Sequence, residues 1–182
     1  MYYKKLWQNF TGGDKKSLAL LFRYFYEDLY NYGIKLTGSR DFTEDGLQDL
    51  FLKLWKTRDK LTEVENLRAY MFTSLRHVLI DSLRWYNRQT NTDKPEDEIF
   101  VMEFSPEDIL IREQIDIESR KKILYALNSL PSRQKEAIYL RYFDNLDFET
   151  IASVMHINIQ SARNFIHKGI LALRELNFNK GI

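Results

Sequence analysis

The sequence predicts an all-α protein made of two small helical domains joined by an acidic linker. The N-terminal domain is expected to have three to four helices, and the C-terminal domain four, including a helix-turn-helix. Three observations carry this expectation. Apolar residues recur at spacings of three and four along most of the chain, whereas strand-like alternation is nearly absent. Charge is segregated: residues 1–88 hold 15 basic and 11 acidic side chains, residues 89–118 hold 2 and 10, and residues 119–182 hold 10 and 5. With 182 residues, 44% of them hydrophobic and 14% aromatic, the chain can bury two compact cores.

The elements follow in order. In the first helix Leu18, Leu21, Phe22, Phe25, Leu29, Tyr32 and Leu36 form an inward stripe, with Asp14 as N-cap and Gly38 just past the end. The second carries Leu47, Leu50, Phe51, Leu54 and Trp55, with Thr43 as expected N-cap and Glu44 and Asp45 in a favourable first turn. The third runs from about Asn66 to Asn87, with Leu67, Met71, Leu75, Val78, Leu79 and Ser82 facing in. Its other side bears Arg68, Phe72, Thr73, Arg76, His77, Ile80, Arg84, Asn87 and Arg88, with Trp85 and Tyr86 among the bases. Arginines neutralise phosphates and aromatic rings stack on unpaired bases, so this face suits single-stranded or melting DNA. A solvated face of snorkelling arginines would look the same in sequence.

The linker, Gln89 to Leu110, has two of the three prolines and an acidic start. Its Ile99, Phe100, Val101, Met102 and Phe104 are apolar enough to dock on the protein's own domains. Beyond it, Ile117, Lys121, Leu124 and Leu127 outline a helix, and Pro131 starts another that carries Ala137, Ile138, Leu140 and Arg141. Asp147 caps Phe148–Met155, whose inward residues are Ile151, Ala152 and Met155. After a short turn at His156-Ile157-Asn158, a last helix runs from Ile159 to about Glu175. Its inward side is Ile159, Ala162, Ile166, Ile170 and Leu173. Its outward side is Gln160, Arg163, Asn164, His167 and Lys168. A helix-turn-helix places such a second helix in the major groove, where Arg bridges guanine and Asn or Gln bridges adenine. An ordinary helical hairpin with a polar outer face shares the pattern.

Several function classes drop out. Without cysteine there is no disulfide, thiolate zinc site or Cys nucleophile. The start, MYYKKLWQNF, has no apolar run of signal-peptide length, and no uncharged stretch nears the ~18 residues of a membrane span. A soluble cytoplasmic protein without direct membrane insertion is expected. His77, His156 and His167 are scattered, and no HExxH, Walker or GxSxG pattern occurs. No catalytic residue, metal site, cofactor or small-molecule substrate is therefore expected.

At this point the residues carry a family resemblance. LPSRQKEAIYLRYFDNLDFETIASVMHINIQSARNFIHKGILALRE resembles region four of a bacterial sigma factor. TEDGLQDLFLKLW, residues 43–55, is similar to the core of region two, and LRAYMFTSLRHVLIDSLRW, residues 67–85, resembles the segment that follows it. The short acidic linker leaves no room for a region three, which points to the extracytoplasmic-function (ECF) group. The resemblance covers roughly residues 10–176 and implies region two at 1–90, a linker at 91–111 and region four at 112–182.

The resemblance implies a non-enzymatic factor that binds RNA polymerase core and directs it to promoter DNA. Glu44, Asp45, Gln48, Asp49 and Trp55 would engage the clamp helices of the largest polymerase subunit. Arg76, His77, Asp81, Arg84 and Arg88 would approach the −10 element, and the loop Thr57 to Glu65 would hold a flipped-out base. Gln160, Ser161, Arg163, Asn164, His167 and Lys168 would dock in the −35 element. An anti-sigma factor is the further partner implied. The chain departs from the family pattern in having His77 where Asn is frequent, Ala162 and Gly169 for the usual Val and Ala, and Gly46 at an apolar helix position. On propensity alone Gly46 costs up to ~1 kcal/mol. The alternative is a polymerase-independent helix-turn-helix transcriptional regulator, which would bind duplex DNA tightly by itself.

Overall fold

The computed structural model describes residues 2–61, 63–90, 102–109 and 117–178. Among them are eight α-helices and two 3-10 turns, and no strand. The chain divides into two compact units, residues 1–95 and 96–182.

The first unit opens with α1 (Tyr2–Thr11), a fourth helix in addition to the three outlined by periodicity. It buries Leu6, Trp7 and Phe10 against α2 (Lys15–Thr37). The i, i+4 pair of Leu6 and Phe10 was visible, but ten residues give a weak periodic signal on their own. Asp14 caps α2, accepting from the Ser17 hydroxyl at 2.6 Å and from the Ser17 and Lys16 amides at 3.0 and 3.1 Å. These bonds, the Ser17 hydroxyl first, hold its carboxyl below the ordinary carboxylate range. Gly38 ends the helix in the left-handed region at φ 65°.

The next helix, α3 (Arg40–Thr57), begins four residues earlier than the Thr43 cap predicts. Ser39 is the N-cap, and Thr43 lies fully buried with its hydroxyl donating to the Ser39 carbonyl at 2.8 Å. A 3-10 turn (Arg58–Lys60) follows, and α4 (Leu67–Gln89) starts at Asn66, whose side chain accepts the Ala69 amide at 3.0 Å.

Because α4 packs on both α2 and α3, it is buried over a wider arc than a one-sided stripe. Phe72, Arg76, Ile80 and Leu83 are all inside. Two glycines let these helices close up on one residue, Leu79. A Cβ on Gly33 of α2 would meet Thr43 and Leu79, and a Cβ on Gly46 of α3 would overlap a Leu79 methyl. Leu79 is fully buried, so that methyl has nowhere to go. Gly46 thus trades helix propensity for close packing. Gly46→Leu is expected to destabilise this unit by about 1–3 kcal/mol through overpacking. Urea unfolding followed by tryptophan fluorescence checks it, because Trp7, Trp55 and Trp85 all belong to this unit. A gain near 1 kcal/mol, the propensity effect alone, would contradict the packing argument.

In the second unit, residues 102–109 pack as part of the fold: Met102, Phe104 and Ile109 are buried. The Asn128 side chain holds Phe104 at both ends, accepting its amide at 2.8 Å and donating to its carbonyl at 2.9 Å. Ile99, Phe100, Val101 and Leu110 lie outside the described residues. Then come α5 (Ile117–Asn128), α6 (Ser132–Tyr142) behind Pro131, α7 (Phe148–Met155) and α8 (Ile159–Phe178). Ile159, expected inside, is exposed at the first turn of its helix, and so is Ile117. The core is built from Ala126, Ala137, Leu140, Ile151, Val154, Met155 and Ala162. Glu136 is buried beside Arg133, 3.6 Å away, and Arg133 donates to the Met155 carbonyl at 3.2 Å.

Candidate nucleic-acid interface

The helix-turn-helix is defined by its caps. Asp147 Oδ1 accepts the Thr150 amide at 2.7 Å, starting α7. That bond is the main reason its carboxyl is held below the ordinary range, so the cap is anionic at neutral pH. The helix stops at His156, which adopts the left-handed region (φ 52°, ψ 49°), while the Ile157 amide donates back to the Ala152 carbonyl at 3.0 Å. Asn158 then restarts the chain as a helix, its Oδ1 accepting the Ser161 amide at 2.7 Å. Three residues thus separate the two helices, and the Asn158 cap sets the start of α8.

That register buries Ala162 and Ile166 and exposes Gln160, Arg163, Asn164, His167 and Lys168 on the opposite face; Ser161 is half-buried. Gln160 donates to the Asn164 side chain at 3.1 Å, so two amides that can read adenine are set against each other in the free chain. Two residues that sequence reasoning missed adjoin this face. The guanidiniums of Arg163 and Arg141 both lie over the ring of Phe148, at 5.4 and 4.9 Å from its centroid. Nothing in the spacing signals this contact, because Arg141 and Phe148 come from other helices.

On α4, His77, Asp81, Arg84 and Arg88 form one exposed stripe at i, i+4, i+7 and i+11, flanked by Trp85, which is 60% exposed. Asp81 lies 3.8 Å from Arg84, one turn along. Arg76 does not belong to this stripe. It is only 2% exposed and has its interactions inside the unit, because it points into the arc covered by α2 and α3. The expectation that Arg76 faces DNA is therefore corrected.

Between α3 and α4, the Arg58 guanidinium stacks 4.3 Å over Trp55 and donates to the Trp55 carbonyl at 2.7 Å. Lys4 of α1 pairs with Glu63 at 2.6 Å. A cleft of about 720 Å³ opens here, with Tyr3, Trp7 and Tyr24 on one side and Glu63, Asn66 and Arg68 on the other. Thr62, within the expected base-holding loop, lies outside the described residues.

The remaining set lies on α3. Asp45, Gln48 and Asp49 are exposed, and Glu44, half-buried, accepts from Arg40 at 2.8 Å. Half-buried Trp55 continues the same face. Beside it runs an apolar groove of about 490 Å³ walled by Leu18, Phe22, Phe51 and Leu52. Leu18 and Phe22, expected in the core, line this groove, and Leu52 is 54% exposed. The stripe of α2 is wider than the surface α3 and α4 cover, and its excess stays open. The groove also takes in Lys15, Gln48 and Trp55, and an open apolar surface of this kind suits protein docking. Among the described residues no cluster of His, Asp and Glu is set to hold a metal, and no helix is long and apolar enough to cross a membrane.

Known proteins share this arrangement. The family described as Sigma-70 region 2 matches residues 21–89, and Sigma-70, region 4 matches residues 120–173, together well over half of the chain. The RNA polymerase sigma factor YlaC of Bacillus subtilis is 24% identical over 88% of this chain and 92% of its own length. The ECF RNA polymerase sigma factor SigL of Mycobacterium tuberculosis is 26% identical over 90% and 93%. Among solved structures, the sigma factor RpoE of Bartonella quintana, in complex with the anti-sigma factor NepR, matches with a TM-score of 0.64. Its identity is 24%, over 88% of this chain and 96% of that one. CnrH, in complex with the cytosolic domain of CnrY, matches with a TM-score of 0.66 at 13% identity and covers 98% of both chains.

Proposed function

Because the chain belongs to the sigma-70 family of transcription initiation factors, in its extracytoplasmic-function group, we propose that it grips promoter DNA at two points while docked on core polymerase. The carrying observation is the exposed row Gln160, Arg163, Asn164, His167 and Lys168 on a helix whose other face is locked in the core. In this reading α8 enters the major groove of the −35 element, its N-terminal turns toward the bases.

The second point of contact is the α4 stripe. His77, Arg84 and Arg88 meet the −10 backbone, Trp85 offers a stacking surface, and Asp81 orients Arg84. The cleft beside Glu63 and Tyr24 takes a base turned out of the stack, which costs a few kcal/mol unless such a pocket receives it. Neither grip needs to be strong alone; polymerase joins them. Its clamp helices would lie along α3, with Trp55 and Leu52 in the apolar contact and Glu44, Asp45, Gln48 and Asp49 around it.

The proposal extends to location and control. A factor that acts on polymerase works in the cytoplasm. The Bartonella quintana relative is in complex with an anti-sigma factor, and an inhibitor of that kind is proposed as a partner of this chain also. The apolar groove on α3 is the surface it would compete for.

Replacing Arg163 with Ala tests the −35 assignment. Use of a promoter with its preferred −35 sequence should fall by about 1–3 kcal/mol, with the loss concentrated at one base position. Equal weakening on every sequence would make Arg163 a phosphate contact instead. Competition transcription with single-base −35 variants separates the two.

A further inference from the structure

Phe148 and Arg141, which share a ring contact with Arg163, have no part in the two-point grip as stated. Phe148 is the first residue of α7, half-buried, and its backbone is held by the Asp147 cap. Arg141 is held as well, its Nη1 donating to the Leu146 carbonyl at 2.9 Å. Arg163 is different. Its side chain is exposed, and among the described residues it has no ion pair; its contact is the Phe148 ring.

An exposed arginine samples many rotamers, and fixing one of them on binding costs entropy. Stacking on an aromatic ring occupies the face of the guanidinium and leaves its N–H edges free in the plane, the geometry that bridges guanine O6 and N7. Two guanidiniums over one ring also repel each other. That cost is relieved when a phosphate or a base acceptor lies beside them, which argues for a polyanion as the third member of the cluster.

We infer that Phe148 is a positioning residue for promoter reading: its ring holds Arg163 in the orientation that meets a −35 base, while Arg141 on the same ring meets the adjoining backbone phosphate. This rests on the −35 reading of α8. Once the ring is lost, Arg163 should still carry its charge but no longer its aim.

The test uses the full chain with core polymerase and a promoter pool randomised across both elements, selected by transcription and sequenced. Wild type should show a base preference on the order of tenfold or more at the position read by Arg163, the value a bidentate contact gives. Phe148→Leu should flatten the same position to under about twofold, as Arg163→Ala does, and the double variant should lose nothing further there. Phe148→Tyr, which keeps the ring, should restore the preference. If Phe148→Leu spares that preference while Arg163→Ala abolishes it, the positioning role is overturned and the −35 reading stands. If Arg163→Ala leaves every preference intact, the −35 reading fails and the inference goes with it. A second measurement does not depend on the leucine variant folding: the side-chain resonances of Arg163 in the wild-type chain should be ring-current shifted. Unshifted resonances would also overturn the proposal.

Discussion

Arg76→Ala is expected to lower the stability of the N-terminal unit by about 3–5 kcal/mol, the usual cost of removing one member of a buried charged interaction. The side chain is 2% exposed on a helix that packs against both α2 and α3, and a guanidinium in such a place must be satisfied by internal partners. Deleting it leaves those partners desolvated and opens a cavity as well. Urea unfolding read by tryptophan fluorescence isolates the effect, since all three tryptophans lie in residues 1–95. An unchanged midpoint would mean that Arg76 turns outward in solution, and would restore it to the candidate DNA-binding set.

Trp55→Ala carries the second large effect, this time on binding. The ring continues the acidic face of α3, borders the apolar groove and is steadied by Arg58 at 4.3 Å. A rigid aromatic lining an apolar patch is the type of residue that dominates interface energies. Affinity for core polymerase should fall by at least about 2 kcal/mol, roughly thirtyfold. The fold should suffer little, because the ring is only half-buried and the stacked arginine contributes about 0.5–1 kcal/mol at an exposed site. Titration of labelled core polymerase measures the affinity, and the urea midpoint of the same variant is the control. Unchanged affinity with an intact fold would remove this groove from the polymerase interface.

The legible parts of the sequence were those governed by local chemistry. Asp14, Gly38, Pro131, Asp147 and Asn158 bound their helices where capping rules place them, because each acts on amides or carbonyls within three or four residues of itself. The α8 register was legible for the same reason: Ala162 and Ile166 face inward and the polar row faces out. What could not be read depends on neighbours distant in sequence. Arg76 looks like a surface arginine until α2 and α3 both close over α4. Gly46 looks like a weak helix position until Leu79 occupies the space its side chain would need. Leu18 and Phe22 look like core residues until the partner helices prove too narrow to cover them. Thr43 looks like an N-cap until Ser39 takes that place and Thr43 fills a buried polar site with Thr37.

This difference bears on function. The groove on α3 and the Phe148 cluster are tertiary products, and both add to sites of which the sequence marks only part. The α8 row, by contrast, is a single-helix feature, already present in the order of residues after Asn158.

The central claim is that the two units act together through polymerase. Its most direct test is transcription in vitro from a library of randomised promoters, using bacterial core polymerase with and without the purified chain. The account predicts transcripts only when the chain is added, starting downstream of two enriched elements, while the chain alone binds the same promoters weakly. It would be contradicted if no promoter supported initiation and the chain by itself bound a specific duplex tightly, the behaviour of a polymerase-independent helix-turn-helix regulator.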